Sequence, residues 1–539
     1  MRNRRHRIVL ALLIALLAAT TAPSRASADM LGEPQALASY PVGRPHAAMT
    51  PTGHALVVWP QTVFRGPPQE DPSTFFGSWR RPGGTFGPPF VIGGERTVTD
   101  IVAAGNEGVV IAGRDPRGAI ATFLPTGATR GHDQVLPNSQ IGSYVTRASP
   151  LLATDGAGNV VAALHRADNT VVAFSRAPGT FFGAEQVIAD GVSQIASAMS
   201  PRGDAAIAIS RYFGTLDVSV RRAGEPTFAP PQATGITRST GMLLDIVVTP
   251  NGDVAVIDRV TSPTTLFGPN FAFRPAGGTF AEQPLQIEGD RYTLVAGAGS
   301  DVSIVDIAIA GGAPVRRLTD RRPDGSLAPP IHIGRGPACD DLGADTVTNA
   351  GNVAIIYRTP CQFGPITAGE TPGSLELVER PAGGGQPTPP VRLGPPDAGF
   401  PSVASSGSGS VLIAWLTNLR TPRLRQVQAI VRDGPNELAL LGLGKRLAVR
   451  DGRAQLAFGC VGLRDCAGSL TAKRIGASGA KSRVTTKLRV GRGTVTTKRV
   501  RLPRHTLRGK RPRLKLTLTL LDGSRIALRR TQTVRVNRR

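Results

Sequence analysis

Val248-Thr-Pro-Asn-Gly-Asp-Val-Ala-Val-Ile257 is one of three near-copies in this chain. The others are Met49-Thr-Pro-Thr-Gly-His-Ala-Leu-Val-Val-Trp59 and Met199-Ser-Pro-Arg-Gly-Asp-Ala-Ala-Ile-Ala-Ile209. In each copy the proline sets φ near −65° at the second turn position, and the glycine takes the positive φ that closes the turn. Asp or His then leaves the turn. The flanks are short and rich in Val, Ile and Ala, as buried strands are. Each copy reads as a β-hairpin.

Looser copies extend the series: Ala153-Thr-Asp-Gly-Ala-Gly-Asn-Val-Val-Ala162, Thr346-Val-Thr-Asn-Ala-Gly-Asn-Val-Ala-Ile-Ile-Tyr357 and Ser405-Ser-Gly-Ser-Gly-Ser-Val-Leu-Ile-Ala-Trp415. With degenerate copies near Gly108 and Ser300, the series counts eight units about fifty residues apart. A second element follows each hairpin, as in Trp79-Arg-Arg-Pro-Gly-Gly-Thr-Phe86, Phe174-Ser-Arg-Ala-Pro-Gly-Thr-Phe181 and Phe273-Arg-Pro-Ala-Gly-Gly-Thr-Phe280. A further short strand comes after it, as in Glu185-Gln-Val-Ile188. Four antiparallel strands per unit is the arithmetic of a propeller blade. A blade cannot bury both faces alone, whereas a ring of blades hides the faces and leaves only short edges. The expected fold is all-β: an eight-bladed β-propeller over residues 29–433, or a seven-bladed one if a degenerate unit drops out.

The ends favour closure. The last unit reaches Gln426-Val-Gln-Ala-Ile430 and then lacks a fourth strand. Gly32-Glu-Pro-Gln-Ala-Leu-Ala38 matches Gly183-Ala-Glu-Gln-Val-Ile-Ala189, so the N-terminal strand is expected to complete the last blade.

These motifs, the Gly-Asn/Asp-Val hairpin and the Arg-Pro-Ala-Gly-Gly-x-Phe turn, resemble those of secreted actinobacterial β-propeller repeat proteins, in the broad sialidase/WD40-like propeller class. The resemblance covers about residues 30–433 and implies a propeller. It implies no activity, since most of that group has none assigned. The Asp-box of sialidase propellers, Ser-x-Asp-x-Gly-x-Thr-Trp, fits no copy here; Trp59 and Trp415 stand several residues past the glycine.

The chain has 539 residues, 64 Gly and 45 Pro, 40% hydrophobic residues and no Gly-X-Y period. That excludes collagen and wholesale disorder. The length suits several domains, or one repeat body with an appendage. Residues 1–28 read as a signal peptide: Arg2, Arg4, Arg5 and Arg7, an apolar run from Ile8 to Ala19, and Ala26-Ser27-Ala28 as cleavage pattern. The apolar run is too short for a spanning helix, so no transmembrane segment is expected in the mature chain. The expected location is secreted, extracellular or associated with the cell envelope.

An exported protein with four Cys points to disulfides. Cys339 and Cys361 flank a hairpin centred near Ala350 and stand equally far from it, so antiparallel pairing would bring them together. Cys460 and Cys466 bracket a short loop in the same way. Metal binding is the alternative; it lacks Cys-x-x-Cys pairs and companion His.

Composition changes near residue 433. Residues 434–539 hold 27 Lys and Arg but only Glu437, Asp451, Asp465 and Asp522, which accounts for nearly all of the net +25. Every Lys falls between Lys445 and Lys515. Leu514-Lys-Leu-Thr-Leu-Thr-Leu520 alternates with period two, giving one apolar and one polar face. Lys487-Leu-Arg-Val490 and Val495-Thr-Thr-Lys-Arg-Val500 behave similarly. About seven strands suggest a small immunoglobulin-like β-sandwich. Lys487, Arg489, Lys498, Arg499, Arg513 and Lys515 are the candidate cations for binding polyanions, namely anionic cell-wall or extracellular polymers. The alternative is a solvated face whose Lys guard the sheet edges. Phe458 is the module's lone aromatic residue, so specific nucleic-acid recognition by base stacking has little support.

The chain lacks His-Glu-x-x-His, Gly-x-Ser-x-Gly and a phosphate-cradling Gly-x-x-x-x-Gly-Lys. No cofactor, metal site or catalytic residue is expected. His54 occupies a turn position. Cys339-Asp-Asp-Leu-Gly-Ala-Asp345 has carboxylates but too few regularly spaced ligands for calcium. Arg114, Arg166, Arg211, Arg259 and Arg358 recur at the end of the second hairpin strand, with Tyr212 and Tyr357 beside two of them. An Arg cluster with a Tyr nucleophile is sialidase chemistry, but recurrence at one repeat position is also what a structural residue produces. The function expected is non-enzymatic binding: the propeller recognises a protein or glycan, and the basic module retains it on anionic envelope polymers. The alternative is a propeller-type glycoside hydrolase or lyase acting on extracellular polysaccharide, with its site in the central funnel.

Overall fold

The computed structural model describes residues 33–538 apart from connecting segments, the longest being 62–72, 138–149, 259–268, 334–343 and 360–373. The expected signal peptide lies outside the described residues. Every named element is a strand, and among the described residues no helix is long and apolar enough to cross a membrane.

The chain begins with β1 (Gln35–Ala38). A first unit follows: β2 (His46–Met49), β3 (Ala55–Gln61), β4 (Ser73–Arg80) and the start of β5 (Phe90–Ala104). The long β5 continues into a second unit with β6 (Gly108–Asp115), β7 (Gly118–Pro125) and β8 (His132–Val135), so these two units share one seven-stranded sheet. Four-stranded antiparallel sheets come next. One is β9 (Leu151–Thr154), β10 (Val160–His165), β11 (Val171–Arg176) and β12 (Gln186–Ala189). Another is β13 (Gln194–Met199), β14 (Ala205–Ser210), β15 (Thr215–Arg221) and β16 (Gln232–Thr237). Then come β17 (Asp245–Val248), β18 (Val254–Asp258), β19 (Asn270–Arg274) and β20 (Ala281–Pro284). They are followed by β21 (Arg291–Ala296), β22 (Val302–Ala310), β23 (Ala313–Arg321) and β24 (Ile331–Ile333). The next sheet is β25 (Ala344–Val347), β26 (Val353–Thr359), β27 (Ser374–Arg380) and β28 (Val391–Arg392). The last unit has β29 (Gly399–Ser405), β30 (Val411–Thr417) and β31 (Gln426–Arg432), and its fourth strand is β1, antiparallel to β31. The expected exchange of the N-terminal strand is present.

The first strands touch in sequence, β2 to β5, β9, β13, β17, β21, β25 and β29, and β29 touches β2. Each neighbouring pair of sheets shares its own apolar layer. The layer from last to first joins Leu412, Ala414 and Val427 to Ala47, Val57 and Trp59, with Leu37 of β1 among them. The fold is thus all-β, built of small antiparallel sheets in a layout compatible with a propeller.

The hairpins have the expected turn, with φ of 84° at Gly53, 97° at Gly203 and 90° at Gly252. A Cβ would be strained there, which is why the repeat keeps glycine. The residue before the proline adds a bond that the repeat pattern did not reveal. Thr50, Ser200 and Thr249 accept, through Oγ, from the N–H of His54, Asp204 and Asp253 at 3.1–3.2 Å. The exit aspartates then accept from the second motif: the Ala223 N–H donates to Asp204 at 3.0 Å and the Ala276 N–H to Asp253 at 2.8 Å. The two repeated motifs are therefore two turns docked at one end of a sheet.

A separate hydrogen-bonded path follows: β32 (Glu437–Leu441), β34 (Arg453–Val461), β33 (Arg446–Arg450), β39 (Arg525–Arg538), β38 (Arg513–Asp522), β35 (Cys466–Arg474) and β36 (Arg483–Val490), with β37 (Val495–Arg501) on β34. That makes eight strands where about seven were expected. The boundary expected at 433/434 falls in a segment outside the described residues, between β31 and β32.

Candidate functional site

In the C-terminal strands alternation separates core from surface. Leu514, Leu516 and Leu518 are buried and share one cluster with Leu456, Phe458, Leu470, Val490 and Val534. Each fully buried Leu contributes about 1.5–3 kcal/mol. The residues between them face outward. On β38 these are Arg513 and Lys515, on β36 Lys487 and Arg489, on β35 Lys473, and on β39 Arg535, all exposed. Lys473 stands directly opposite Lys515, and Arg513 directly opposite Arg535. Thr471 and Thr485, also cross-strand partners, place their hydroxyls 2.9 Å apart on the same face.

The six expected cations do not form one patch. Lys487, Arg489, Arg513 and Lys515 share this face. Lys498 and Arg499 lie on β37, which pairs with β34. There Arg499 is exposed opposite Gln455, while Lys498 is half-buried opposite the core residue Leu456. Adjacent positions on a strand point to opposite sides, so both could not serve one surface. Lys473 and Arg535 were missed. Their signal was present, since Lys473 follows Leu470 and Ala472 in alternation, and Arg535 sits between Val534 and Val536.

Cys339 and Cys361 lie outside the described residues. Cys460 and Cys466 lie on β34 and β35, which do not pair with each other as a hairpin would require: β34 pairs with β32, β33 and β37, and β35 with β36 and β38. Both strands send residues into the same apolar cluster.

In the repeat body the recurrent Arg are engaged close to home. Arg166 pairs with Glu185 and Arg211 with Asp217. In each case the carboxylate belongs to the Arg's own repeat unit, next to or within its sheet. Arg114 and Arg358 are each the penultimate residue of their strand, opposite Ala119 and Leu375; Arg259 and Tyr212 lie outside the described residues. Buried Tyr357 donates its hydroxyl to Glu376 at 3.0 Å. Burial and the adjacent Glu376 push its phenol far up, so it stays protonated. His54 is the turn residue expected; burial, then Arg81, lowers its imidazole.

The innermost strands are rich in small residues such as Ala47, Ala48, Ala103, Ala104, Ala196 and Ala198. Asp100 and Asp245, on β5 and β17, are both committed to backbone. Asp100 accepts from the N–H of Ile101 and of Leu152, each at 2.8 Å. Asp245 accepts from Ile246 at 2.8 Å and Leu294 at 2.7 Å. Burial pushes both carboxyls up to about 6, against the pull of these donors.

A second recurrent Arg carries structure. Arg80, Arg176, Arg221, Arg274, Arg321, Arg380 and Arg432 are all buried at the end of a third strand. Each stands opposite the first residue after the hairpin turn. Several reach the preceding sheet: Arg176 lies over Phe123, Arg321 over Phe273, and Arg380 pairs with Asp320.

No protein-family model matches this chain, and no curated protein matches it. Solved structures similar to it include the BP39L lectin from Burkholderia pseudomallei, with TM-score 0.44 and 12% identity over 67% of this chain and 100% of the lectin. The polysaccharide lyase Uly1 has TM-score 0.41 and 9% identity over 74% of this chain and 99% of the lyase. A fungal alcohol oxidase of the AA5 family has TM-score 0.42 and 13% identity over 94% and 99%.

Proposed function

We propose that this is a secreted, non-enzymatic binding protein. An eight-bladed propeller closed by β1 presents its loops to a protein or glycan, and an immunoglobulin-like basic module, residues 434–539, retains it on anionic envelope polymers. The observation that carries this reading is the outward face of β36, β35, β38 and β39, which collects six exposed cations while alternate residues build the core. The cycle of eight touching first strands supports the blade count. The pairing of Arg166, Arg211 and Tyr357 within their own units supports structural roles for them. Two disulfides belong to the same reading. Cross-strand pairs of β25 and β26, such as Ala344 and Ile356, are centred on residue 350, as are Cys339 and Cys361.

A chain ending at residue 433 keeps every strand of the ring. Retention of this chain and of the full chain on isolated cell walls is compared at rising salt. The full chain should bind at low salt and elute as salt screens the charges, and the short chain should stay in solution. Equal retention of the two defeats the tethering role.

A further inference from the structure

We infer that the outward face of β36, β35, β38 and β39 binds an acidic polysaccharide. This rests on the retention reading above and assigns it to one surface and one polymer class. Cross-strand neighbours on a sheet lie about 4.8 Å apart and alternate residues along a strand about 6.7 Å apart. Lys515 and Lys473 are cross-strand neighbours, and so are Arg513 and Arg535. Lys487 and Arg489 stand on the next strand over. Like charges directly opposite each other destabilise a sheet. None of the described outward residues of these strands is a carboxylate that could relieve them. An anionic chain laid across the face supplies that relief.

The remaining positions decide which anion. Between the two cation groups lie Thr471, Thr485 and Thr517, and Ser469 stands opposite Lys487; these hydroxyls exchange hydrogen bonds with sugar hydroxyls and donate to carboxylates or sulfates. The four strands contain no Phe, Tyr or Trp on which a base could stack. Large apolar side chains that would enter a bilayer are absent from the described outward positions; Ile475 is exposed just past the end of β35.

The test uses the full chain, with chondroitin sulfate and alginate as probes and neutral dextran, duplex DNA and phosphatidylserine vesicles as comparisons. One variant is Lys473→Ser/Arg513→Ser/Lys515→Ser; the control, Arg453→Ser/Arg499→Ser/Arg501→Ser, removes equal charge from β34 and β37. Matching thermal midpoints show that each variant is folded. The native chain should bind both acidic polysaccharides and not dextran. The face variant should lose about tenfold or more, with a salt dependence shallower by roughly two to three counterions, and the control less than about threefold. Equal loss in both variants, no polysaccharide binding, or equal or tighter binding to DNA or vesicles overturns the assignment. Native chain held by cell walls but not by either polysaccharide would overturn this inference alone and leave the retention reading standing.

Discussion

Arg432 and Glu379 illustrate what single side chains do between sheets. Arg432 ends β31, lies 2.6 Å from the Glu379 carboxylate on the preceding sheet, and donates to the Gly409 carbonyl at 3.0 Å. Burial pushes the Glu379 carboxyl up, and Arg432 pulls it back. Arg432→Met would strand a buried charge at a cost on the order of 3–5 kcal/mol. Adding Glu379→Gln should recover part of that loss, as a denaturation double-mutant cycle would read; additive losses would show that the two side chains are not coupled. Asp100 and Asp245 carry a pH signature. Their folded value of about 6 exceeds the ordinary 3.8. Each therefore contributes stability that is fully present below about pH 3.8 and lost as pH rises through about 6, on the order of 1–3 kcal/mol per site. His46 opposes them: burial, then Arg44, lowers it to about 4, so its contribution holds above about pH 6.5 and is lost as pH falls. From pH 7 to 5, Asp100→Asn/Asp245→Asn should lose thermal midpoint relative to the native chain. Parallel profiles would refute the burial argument.

At the scale of elements, a glutamine clasp recurs between units. Gln134 and Gln186 each donate from Nε2 to a phenylalanine carbonyl of the next sheet, Phe182 or Phe228, and accept the N–H of that same residue. Gln35 makes the same two bonds to Phe86, at 3.0 and 2.8 Å. The match between residues 32–38 and 183–189 aligns Gln35 with Gln186, so the closing strand carries the clasp of an ordinary fourth strand. Gln35→Ala should cost on the order of 1–3 kcal/mol by leaving both Phe86 groups unpaired. Deleting residues 29–38 should cost more and should promote association through the bared edge of β31. Denaturant midpoints and light scattering report the two effects, and an unchanged midpoint in both chains would mean that closure does not stabilise the ring. Hairpins, turn glycines and the strand exchange were legible because each is written in a local stretch. The Thr, Ser and Asp bonds within the turns were hidden because their purpose appears only when the two motifs meet.

For the whole molecule, the sequence by itself determined the strand class, the repeat with its turn chemistry, the closing strand, and the concentration of positive charge after residue 433. Those follow from period-two alternation, glycine's access to positive φ, and simple charge counting. Tertiary structure alone decided which cations share one face. It separated Lys498 and Arg499 from Lys487, Arg489, Arg513 and Lys515, and it brought in Lys473 and Arg535. It also gave the recurrent Arg of the third strands their inter-sheet role. The physical reason is that alternation assigns a residue to a side of its own strand, whereas pairing register and sheet order, set by long-range packing, decide which sides become one surface.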